Sequence, residues 1–436
     1  MSPEQDDSDG FVIVNHNDAN PEHQPAPTQL PYLDDISRHV DSIADSLWPV
    51  NKKIHDCPEL GYEEVIAHEA LTSFMESQPG WTVTRSAYGL KTAWVAVYDS
   101  KKKGPVVSFN AEMDALPGIG HACGHNLIAS ASVAAALATA DVMTRHRLNG
   151  KIVLFGTPAE EGGGGKIALL SAGAYSSHKV DISILAHPGT ARDSALVRTT
   201  AYMRFRVAYT GREAHAAAEP WKGINALDAL ITAYNAVSAL RQQTMPGDVI
   251  QGHITDGGAV PNIIHAHAAG VFVVRAKTQA RLDVLRRKVE ACFAAGATAT
   301  GAEMRITPLG AYADHVPSRL LGARYAACFN ALSPPVRIIK DQDVDEINGA
   351  TMASSDQGDV SYAVPSLMPG FSIAGESGPH TPGFAEAAGT REAFERALRA
   401  AKALAGTAVD VLSVEGLREE VWEEWRRWRE GGEEGG

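Results

Sequence analysis

The sequence predicts a layered α/β protein into which a smaller α+β domain is inserted. Apolar runs typical of buried strands alternate with helical patterns over residues 31–200 and again over 313–415. Between them, over 201–312, half-exposed strand patterns are accompanied by two amphipathic helices. A chain of 436 residues is long enough to give each of these two units its own core.

Composition narrows the partners and the compartment. The 39 Lys and Arg residues against 52 Asp and Glu residues give a net charge of −13, which argues against nucleic acid as a partner. Four cysteines, Cys57, Cys123, Cys292 and Cys328, do not make a disulfide framework in a chain this long. The only early apolar run, residues 11–14, is too short for a signal peptide or a membrane span. We therefore expect a cytoplasmic protein without a membrane partner.

The first part of the chain alternates between helix and strand. Residues 1–30 are rich in Asp, Asn, Pro and His and predict a disordered leader. Helical patterns cover residues 32–57 and resume after Pro58 as far as residue 77, and strand patterns cover 81–85 and 92–98. This alternation is typical of a layered α/β domain.

A thiol, two imidazoles and two carboxylates lie close together in residues 106–126, VVSFNAEMDALPGIGHACGHN. A short apolar run predicts a strand, and the Ala-rich run that follows this stretch predicts a buried helix. The loop between them is expected to hold all of the polar chemistry: Glu112, Asp114, His121, Cys123 and His125. A cysteine and a histidine that converge on such a loop form a ligand set for a transition metal. The alternative is a buried cysteine and two hydrogen-bonded histidines near a turn.

Two further strands are expected to end in side chains of the same kind. KIVLFGTP is followed by Glu160, Glu161 and four glycines, and DISILAHP ends in His187. Lys166 does not mark a phosphate-binding loop, because Ile167 stands where Ser or Thr would hold magnesium and the two carboxylates would repel phosphate. Adjacent glutamates can face different ways, one towards a cation and the other towards a water on it, although a solvated acidic loop is the alternative. Ligands bind at the carboxyl ends of strands in open α/β sheets, so these loops are expected to meet.

The inserted domain, residues 201–312, contains three isolated candidates. Its predicted strands cover 201–211, 249–255 and 270–277, and its predicted helices cover 225–242 and 280–295. The candidates are His215 in GREAHAAAEP, Asn262 in VPNII and Arg275 in VFVVRAKT. A lone histidine in a loop is more often structural, so His215 by itself predicts no activity.

The last part of the chain returns to the first domain. A helix over 318–330 precedes the polar loop SSDQGDVS and an apolar strand region, and His380 stands between glycines and prolines in ESGPHTPGF. Residues 390–413 predict an amphipathic helix. The tail, 416–436, starts as a helix and ends in an acidic, Gly-rich terminus. The helix has a tryptophan stripe, which indicates packing or a partner contact: Trp422, Trp425 and Trp428.

Seven motifs together resemble metallopeptidase family 20, the group of aminoacylases, carboxypeptidases and amidohydrolases. In chain order they are ALPGIGHACGHN, TPAEEGGGGK, ILAHP, GREAHAAAEPWKGINALDA, PNII, SSDQGDVS and GPHTPG, within residues 45–405. The match is closest to the Xaa-Arg dipeptidase-like and aminobenzoyl-glutamate hydrolase-like branch. The resemblance implies a zinc-peptidase-type catalytic domain, a lid that also serves as a dimerisation domain, and a homodimer formed through that lid.

The resemblance also implies an activity, the metal-dependent hydrolysis of an amide bond in a dipeptide or an N-acyl amino acid. The cofactor implied is a pair of divalent ions, zinc or manganese. The family's ligands for these ions correspond to Cys123, His125, Glu161, His187 and His380. Glu160 matches the general base that deprotonates the metal-bound water, and Asp114 matches the aspartate that supports the metal centre.

Residues of the inserted domain acquire roles through the same resemblance. His215 matches the histidine that reaches into a partner subunit's site to polarise the scissile carbonyl, and Asn262 lies in a motif with a related role. Arg275 matches an arginine that receives a substrate carboxylate. Asn126 stands where many relatives have Asp, a departure that bears on substrate class. The bridging ligand stays unassigned.

Three alternatives compete with this interpretation. A cysteine hydrolase based on Cys123 is disfavoured, because a histidine two residues along the chain cannot easily act as its base. A non-catalytic binding or regulatory homologue is disfavoured, because every ligand and Glu160 are retained. The third alternative, the same metal site acting on a specialised biosynthetic amide, stays open.

Overall fold

Thirteen α-helices and twelve β-strands form the described part of the chain, residues 30–375 and 377–431 of a computed structural model. The helices are α1 (Leu33–Asp56), α2 (Val65–Glu76), α3 (His125–His146), α4 (Gly165–Ser171), α5 (Ala174–His178), α6 (Ala226–Leu240), α7 (Gln279–Thr300), α8 (Arg319–Ala331), α9 (Gln342–Asn348), α10 (Gln357–Ala363), α11 (Pro382–Ala388), α12 (Arg391–Ser413) and α13 (Leu417–Gly431). The strands are β1 (Trp81–Thr84), β2 (Trp94–Asp99), β3 (Val106–Glu112), β4 (Lys151–Thr157), β5 (Ile182–Ile184), β6 (His187–Gly189), β7 (Ala201–Thr210), β8 (Val249–Asp256), β9 (His267–Ala276), β10 (Glu303–Tyr312), β11 (Ser366–Leu367) and β12 (Gly370–Ser372). The predicted leader, apart from Leu30, and the predicted acidic terminus after residue 431 lie outside the described residues.

The larger sheet has six strands in the order β1-β2-β4-β3-β5-β11. The strands β4, β3, β5 and β11 run parallel, and the antiparallel β2 and β1 extend one edge. All seven residues of β3 are buried, as expected for a central parallel strand that is covered on both faces. The carboxyl ends of β3, β4 and β5 therefore lie along one edge of the sheet, where the loops that were expected to meet emerge.

Helices cover both faces of this sheet and make the layered α/β fold that the sequence predicts. One core contains side chains of α1, α3, α8 and α12, and a second core lies between the sheet and α4, α5 and α10. The central helix α3 contacts α1, α12 and β3, and its many Ala and Ser side chains let these neighbours approach closely. By length and composition α3 passes for a membrane span, but 89% of its apolar window is buried inside the protein.

The smaller sheet has four antiparallel strands in the order β10-β7-β9-β8, and the helices α6 and α7 contact its inner strands. These elements have their own apolar core, which contains the stacked and edge-on rings of Phe205, Phe272 and Phe293. The strand β8 lies at an open edge, and its last six residues are exposed. We call the part from β7 to β10 the inserted domain.

Four local expectations differ from the structure. The strand β10 is absent from the sequence interpretation, because Pro308 and Gly310 interrupt its pattern; the register of β10 on β7 shifts between these two residues. The run DISILAHP does not form one strand: β5 ends at Ile184, and His187 begins β6, which pairs with β12 instead. The loop SSDQGDVS contains the start of α10. The short helices α9 and α11 were also not predicted.

The tryptophan stripe of α13 packs against its own chain. Trp425 Nε1 donates a hydrogen bond of 2.8 Å to the Ser361 carbonyl, and the Trp428 ring lies edge-on to Tyr362 at 5.0 Å. The carboxylate of Glu424 accepts hydrogen bonds from the amides of Arg319 and Leu320 at the start of α8. Of the two alternatives for the stripe, the structure therefore supports packing.

Candidate metal centre

The loop after β3 begins and ends with polar residues that belong to regular structure. Glu112 is the last residue of β3, where it pairs with Thr157, and His125 is the first residue of α3. The prediction that the loop holds all of the polar chemistry is therefore wrong at both ends. The helix begins at His125 because Gly124 adopts a left-handed conformation with φ of 78°. A Cβ on Gly124 would lie 2.6 Å from Pro188 Cγ, so only glycine fits there.

Five side chains converge at the carboxyl ends of β3, β4 and β5, and we call them the donor cluster. They are Cys123, His125, Glu161, His187 and His380. Cys123 Sγ lies 3.5 Å from His187 Nε2, and His380 Nε2 lies 3.3 Å from Glu161 Oε1. Two groups of three have ligand atoms within 4.8 Å of one another: Cys123 with His125 and His187, and Cys123 with Glu161 and His380. Cys123 is common to both groups, and the 55% exposed side chain of His380 lies on the open side.

Both buried imidazoles of the cluster present the same nitrogen to it. His125 Nδ1 lies 3.1 Å from Asp114 Oδ1, and His187 Nδ1 lies 2.7 Å from the Pro188 carbonyl. Histidines that bind a metal through one nitrogen almost always donate the other N–H to a carboxylate or a carbonyl. His125 Nε2 is buried and has no hydrogen-bond partner in residues 30–375 and 377–431. This orphaned nitrogen and the S, N and O donors around it suit a transition metal.

Asp114 holds three neighbours of the cluster at once. Besides His125, it accepts hydrogen bonds from the backbone amides of Glu160 at 3.0 Å and Glu161 at 2.9 Å. Burial disfavours the ionised carboxylate, but the charge of His125 and these hydrogen bonds lower the pKa of Asp114 below its usual value. Asp114 therefore stays ionised and fixes the loop after β4 relative to α3.

Glu160 is buried beside the cluster, and its Oε2 lies 3.8 Å from His125 Nε2. Burial raises the pKa of Glu160 well above its usual value, and the nearby carboxylates of Glu112, Asp356 and Glu161 raise it further. Glu161 differs, because its hydrogen bond with His380 outweighs burial and lowers the pKa of its carboxyl. Two adjacent glutamates with opposite shifts suit different tasks, proton transfer for the first and ligation for the second.

A buried lysine balances part of this negative charge. Lys166 Nζ lies 2.6 Å from Glu112 Oε1 and 2.5 Å from Asp356 Oδ1, and all three side chains are fully buried. Burial opposes the charged ammonium, but Asp356 and Glu112 raise the pKa of Lys166 well above its usual value. The sequence interpretation missed this triad. Glu112 and Asp356 both lie in motifs singled out there, yet no spacing rule pairs them with Lys166.

The four glycines after Glu161 make room for the chain itself. A Cβ on Gly165 would lie 1.8 Å from the Pro158 carbonyl oxygen, and one on Gly163 would lie 2.5 Å from Ala159 Cβ. Gly162 and Gly164 have φ of 133° and 64°. The close approach that the glycines indicate is therefore that of the end of β4, and the tight loop directs both glutamates inwards.

His121 does not belong to the donor cluster. It is buried, and neither ring nitrogen has a hydrogen-bond partner within the described part of the chain. Burial lowers the pKa of His121 to about 3, so the imidazole is neutral. Its ring stacks at 6.4 Å on that of His55.

His215 and Asn262 lie together on an exposed loop of the inserted domain. The amide of Ala216 donates a 3.0 Å hydrogen bond to the Asn262 carbonyl, and His215 forms a backbone bridge with Ile263. His215 Nδ1 accepts hydrogen bonds from the amides of two following residues. Among the described residues, no hydrogen bond or ion pair joins either side chain to the donor cluster.

Arg275 lies closer to the catalytic loops. Its Nη1 donates hydrogen bonds to Ser354 Oγ at 2.8 Å and to the Met352 carbonyl at 3.2 Å. Its guanidinium also stacks over the Tyr202 ring at 5.0 Å. The structure therefore holds this half-buried cation between the inserted domain and the segment that leads to α10.

Comparison with known proteins gives three concordant results. Residues 198–300 match the dimerisation domain of the M20 peptidases. The chain is 40% identical over 399 residues to the Xaa-Arg dipeptidase of Mus musculus, which covers 88% of this chain and 90% of that protein. It is 31% identical over 315 residues to one of the two p-aminobenzoyl-glutamate hydrolase subunits of Escherichia coli, over 67% of this chain and 62% of that protein.

A solved structure shares the fold. It is a Bacillus subtilis protein described as a dinuclear metal binding peptidase from the M20 family. The two superpose with a TM-score of 0.63 at 19% sequence identity, over 85% of this chain and 99% of that chain.

Proposed function

This chain belongs to the M20 peptidase family, in the branch of the Xaa-Arg dipeptidases, and from that premise we propose that it hydrolyses the amide bond of a dipeptide or an N-acyl amino acid. Its relatives make it an enzyme, a metal-dependent peptidase or amidohydrolase. The observation that supports the finer proposal is the convergence of five donor side chains beside the buried carboxyl of Glu160.

The donor cluster suits two divalent ions, zinc or manganese. Cys123, His125 and His187 would hold one ion, and Cys123, Glu161 and His380 would hold the other, so that the Cys123 thiolate is the shared ligand. When bound, such ions act as Lewis acids that polarise a carbonyl and lower the pKa of a water towards about 7. The donor set and the orphaned His125 Nε2 both support this assignment.

Glu160 is the general base of the proposed reaction. Its carboxylate takes a proton from the attacking water and delivers it to the leaving amine nitrogen, while the new C–O bond forms and the C–N bond breaks. A carboxyl whose pKa is raised by burial holds that proton at neutral pH better than an exposed one. Asp114 and the glycine loop keep Glu160 in place.

The proposed dimer brings the remaining donor to the site. The open edge of β8 can pair with a second copy of β8, and the apolar side chains of Ile231, Tyr234 and Ile254 nearby are exposed. In such a dimer, His215 of the partner subunit would donate a hydrogen bond to the carbonyl oxygen as negative charge develops there, with Asn262 beside it. This placement accounts for a histidine that lies exposed and apart from the donor cluster.

Arg275 is the proposed receptor for the substrate carboxylate. Its contacts with Ser354 and Met352 fix the guanidinium, and its stacking on Tyr202 places it near the glycine loop. A dipeptide with a C-terminal Arg is the first substrate to test, since the relative at 40% identity is a Xaa-Arg dipeptidase. The net charge of −13 also favours a cationic substrate. A cytoplasmic location belongs to the proposal, since all four cysteines are free thiols.

The test is a substrate screen combined with metal analysis of the same sample. We expect turnover of Xaa-Arg or Xaa-Lys dipeptides or of N-acyl amino acids, about two equivalents of zinc or manganese per chain, and loss of turnover on chelation that either metal restores. Turnover that persists after complete removal of metal would favour the cysteine hydrolase instead. If none of these amides is cleaved by metal-loaded protein, the specialised biosynthetic amide becomes the leading alternative.

A further inference from the structure

Tyr312 contacts the catalytic loop from the inserted domain. It is the last residue of β10, where the chain leaves the inserted domain and returns to the larger sheet. Its hydroxyl donates a 2.6 Å hydrogen bond to the backbone carbonyl of Glu160 and accepts a 3.0 Å hydrogen bond from the Gly164 amide. One buried side chain thus joins two points of the loop that carries the proposed general base and a proposed ligand.

The loop needs such a contact because its own residues supply few. Four consecutive glycines have no side chains with which to pack, and two of them have positive φ. On the other side of the loop, Tyr62 donates a 2.7 Å hydrogen bond to the Gly163 carbonyl. The loop is therefore held from two sides by phenol hydroxyls, of which only that of Tyr312 touches Glu160.

Side chains connect Tyr312 to the proposed substrate receptor. The Tyr312 ring lies edge-on to that of Tyr202, with centroids 5.1 Å apart, and the two residues are register partners on β10 and β7. The guanidinium of Arg275 in turn stacks on the Tyr202 ring at 5.0 Å. A continuous line of contacts thus runs from Arg275 through two tyrosines to the Glu160 backbone.

We propose that Tyr312 is a positioning residue for the reaction: its hydroxyl fixes the glycine loop so that Glu160 faces the donor cluster, and it makes that geometry depend on the seating of the inserted domain. This inference rests on the proposed function. Tyr312 touches the backbone of Glu160 and no reacting atom, so it acts through Glu160 alone.

The experiment compares two substitutions that remove the same chemical group. Tyr312→Phe deletes the hydroxyl that holds the loop. Tyr209→Phe is the matched control, because Tyr209 lies on β7 of the same sheet, is fully buried, and donates a 2.7 Å hydrogen bond to the Phe293 carbonyl. Both variants remove one buried hydroxyl-to-carbonyl hydrogen bond, so similar decreases in Tm are expected.

Two readouts are measured on the full chain. In hydrogen exchange, the peptide that contains residues 160–165 should exchange faster in Tyr312→Phe than in wild type, with no change in Tyr209→Phe. In steady-state kinetics, Tyr312→Phe should lower kcat about 10- to 100-fold, the effect of a base displaced by a fraction of an ångström to an ångström, with KM and metal content unchanged. Tyr209→Phe should keep the wild-type kcat.

Three results would overturn the inference. Unchanged exchange of the loop in Tyr312→Phe would do so, and so would equal kcat values in the two variants. A rise in KM without a fall in kcat would also overturn it, because that result indicates a role in substrate binding. Absence of turnover in the wild-type chain would count against the proposed function alone, and the exchange experiment would still decide whether Tyr312 holds the loop.

Discussion

The loops at the carboxyl ends of β3 and β4 and the loop that carries His215 both hold candidate functional side chains, but their order has different sources. The first pair of loops is buried, and Asp114 and Lys166 tie them to each other and to neighbouring elements. The His215 loop is exposed and is held by backbone bridges within the inserted domain.

The difference shows which parts of the site one chain completes. The donor cluster and Glu160 converge within a single subunit, since parallel strands deliver their carboxyl ends to one edge. His215 faces outwards, so it can act on the reaction only through a second surface. The predictions below test this division between a site completed in one chain and a contribution from another.

The largest effect is expected at Glu160. Glu160→Gln keeps the size of the side chain and removes its basicity, so kcat should fall about 10³- to 10⁴-fold while the metal content stays the same. Glu161→Gln is the contrasting variant, since it removes a proposed ligand and should lower the metal content as well. Activity assays and elemental analysis of both proteins measure the difference. Normal turnover of Glu160→Gln would remove Glu160 from the mechanism.

The next largest effect is expected in stability, at Lys166. Lys166→Met leaves Glu112 and Asp356 buried without a counter-charge, and breaking a buried ion pair in this way costs about 3–5 kcal/mol. Chemical denaturation measures the loss. Lys52→Met is the matched control, because Lys52 forms an exposed pair with Asp56 and its loss should change stability by less than about 1 kcal/mol. Equal stability of the two variants would show that the buried triad contributes no more than a surface pair.

The smallest effect tests the contribution from a second chain. His215→Ala should lower kcat about 10²- to 10³-fold, the usual cost of one donor to a developing oxyanion. Mixing equal amounts of His215→Ala and Glu160→Gln protein should restore about a quarter of the wild-type activity, because half of randomly exchanged dimers have one intact site of two. Subunit exchange is verified with tagged chains. No recovery after verified exchange would place His215 in the site of its own chain.

The sequence predicts the larger sheet and its helices well because their signals are local. Buried strands such as β3 and β4 are apolar runs, and α3 is a long run of small apolar residues. The missed elements lack such signals. Pro308 and Gly310 interrupt β10, and α9, α10 and α11 have seven residues each, too few to show a helical period clearly.

The candidate site divides in the same way. Motifs and chain order bring Cys123 and His187 to attention, and the parallel sheet explains why they meet. The contacts of Lys166 could not be predicted from spacing, because its partners Glu112 and Asp356 are 54 and 190 residues away along the chain. The link from Tyr312 to Glu160 spans 152 residues and passes through a strand that the sequence pattern hides.

Asp114 has a consequence for how this enzyme can evolve. One carboxylate receives His125, which ligates, and the amide of Glu160, which moves the proton. A substitution at Asp114 therefore impairs cation affinity and turnover in a single event, so selection cannot adjust one property there without the other. Lineages that change metal preference must do so at positions that do not share a hydrogen-bond partner with the base.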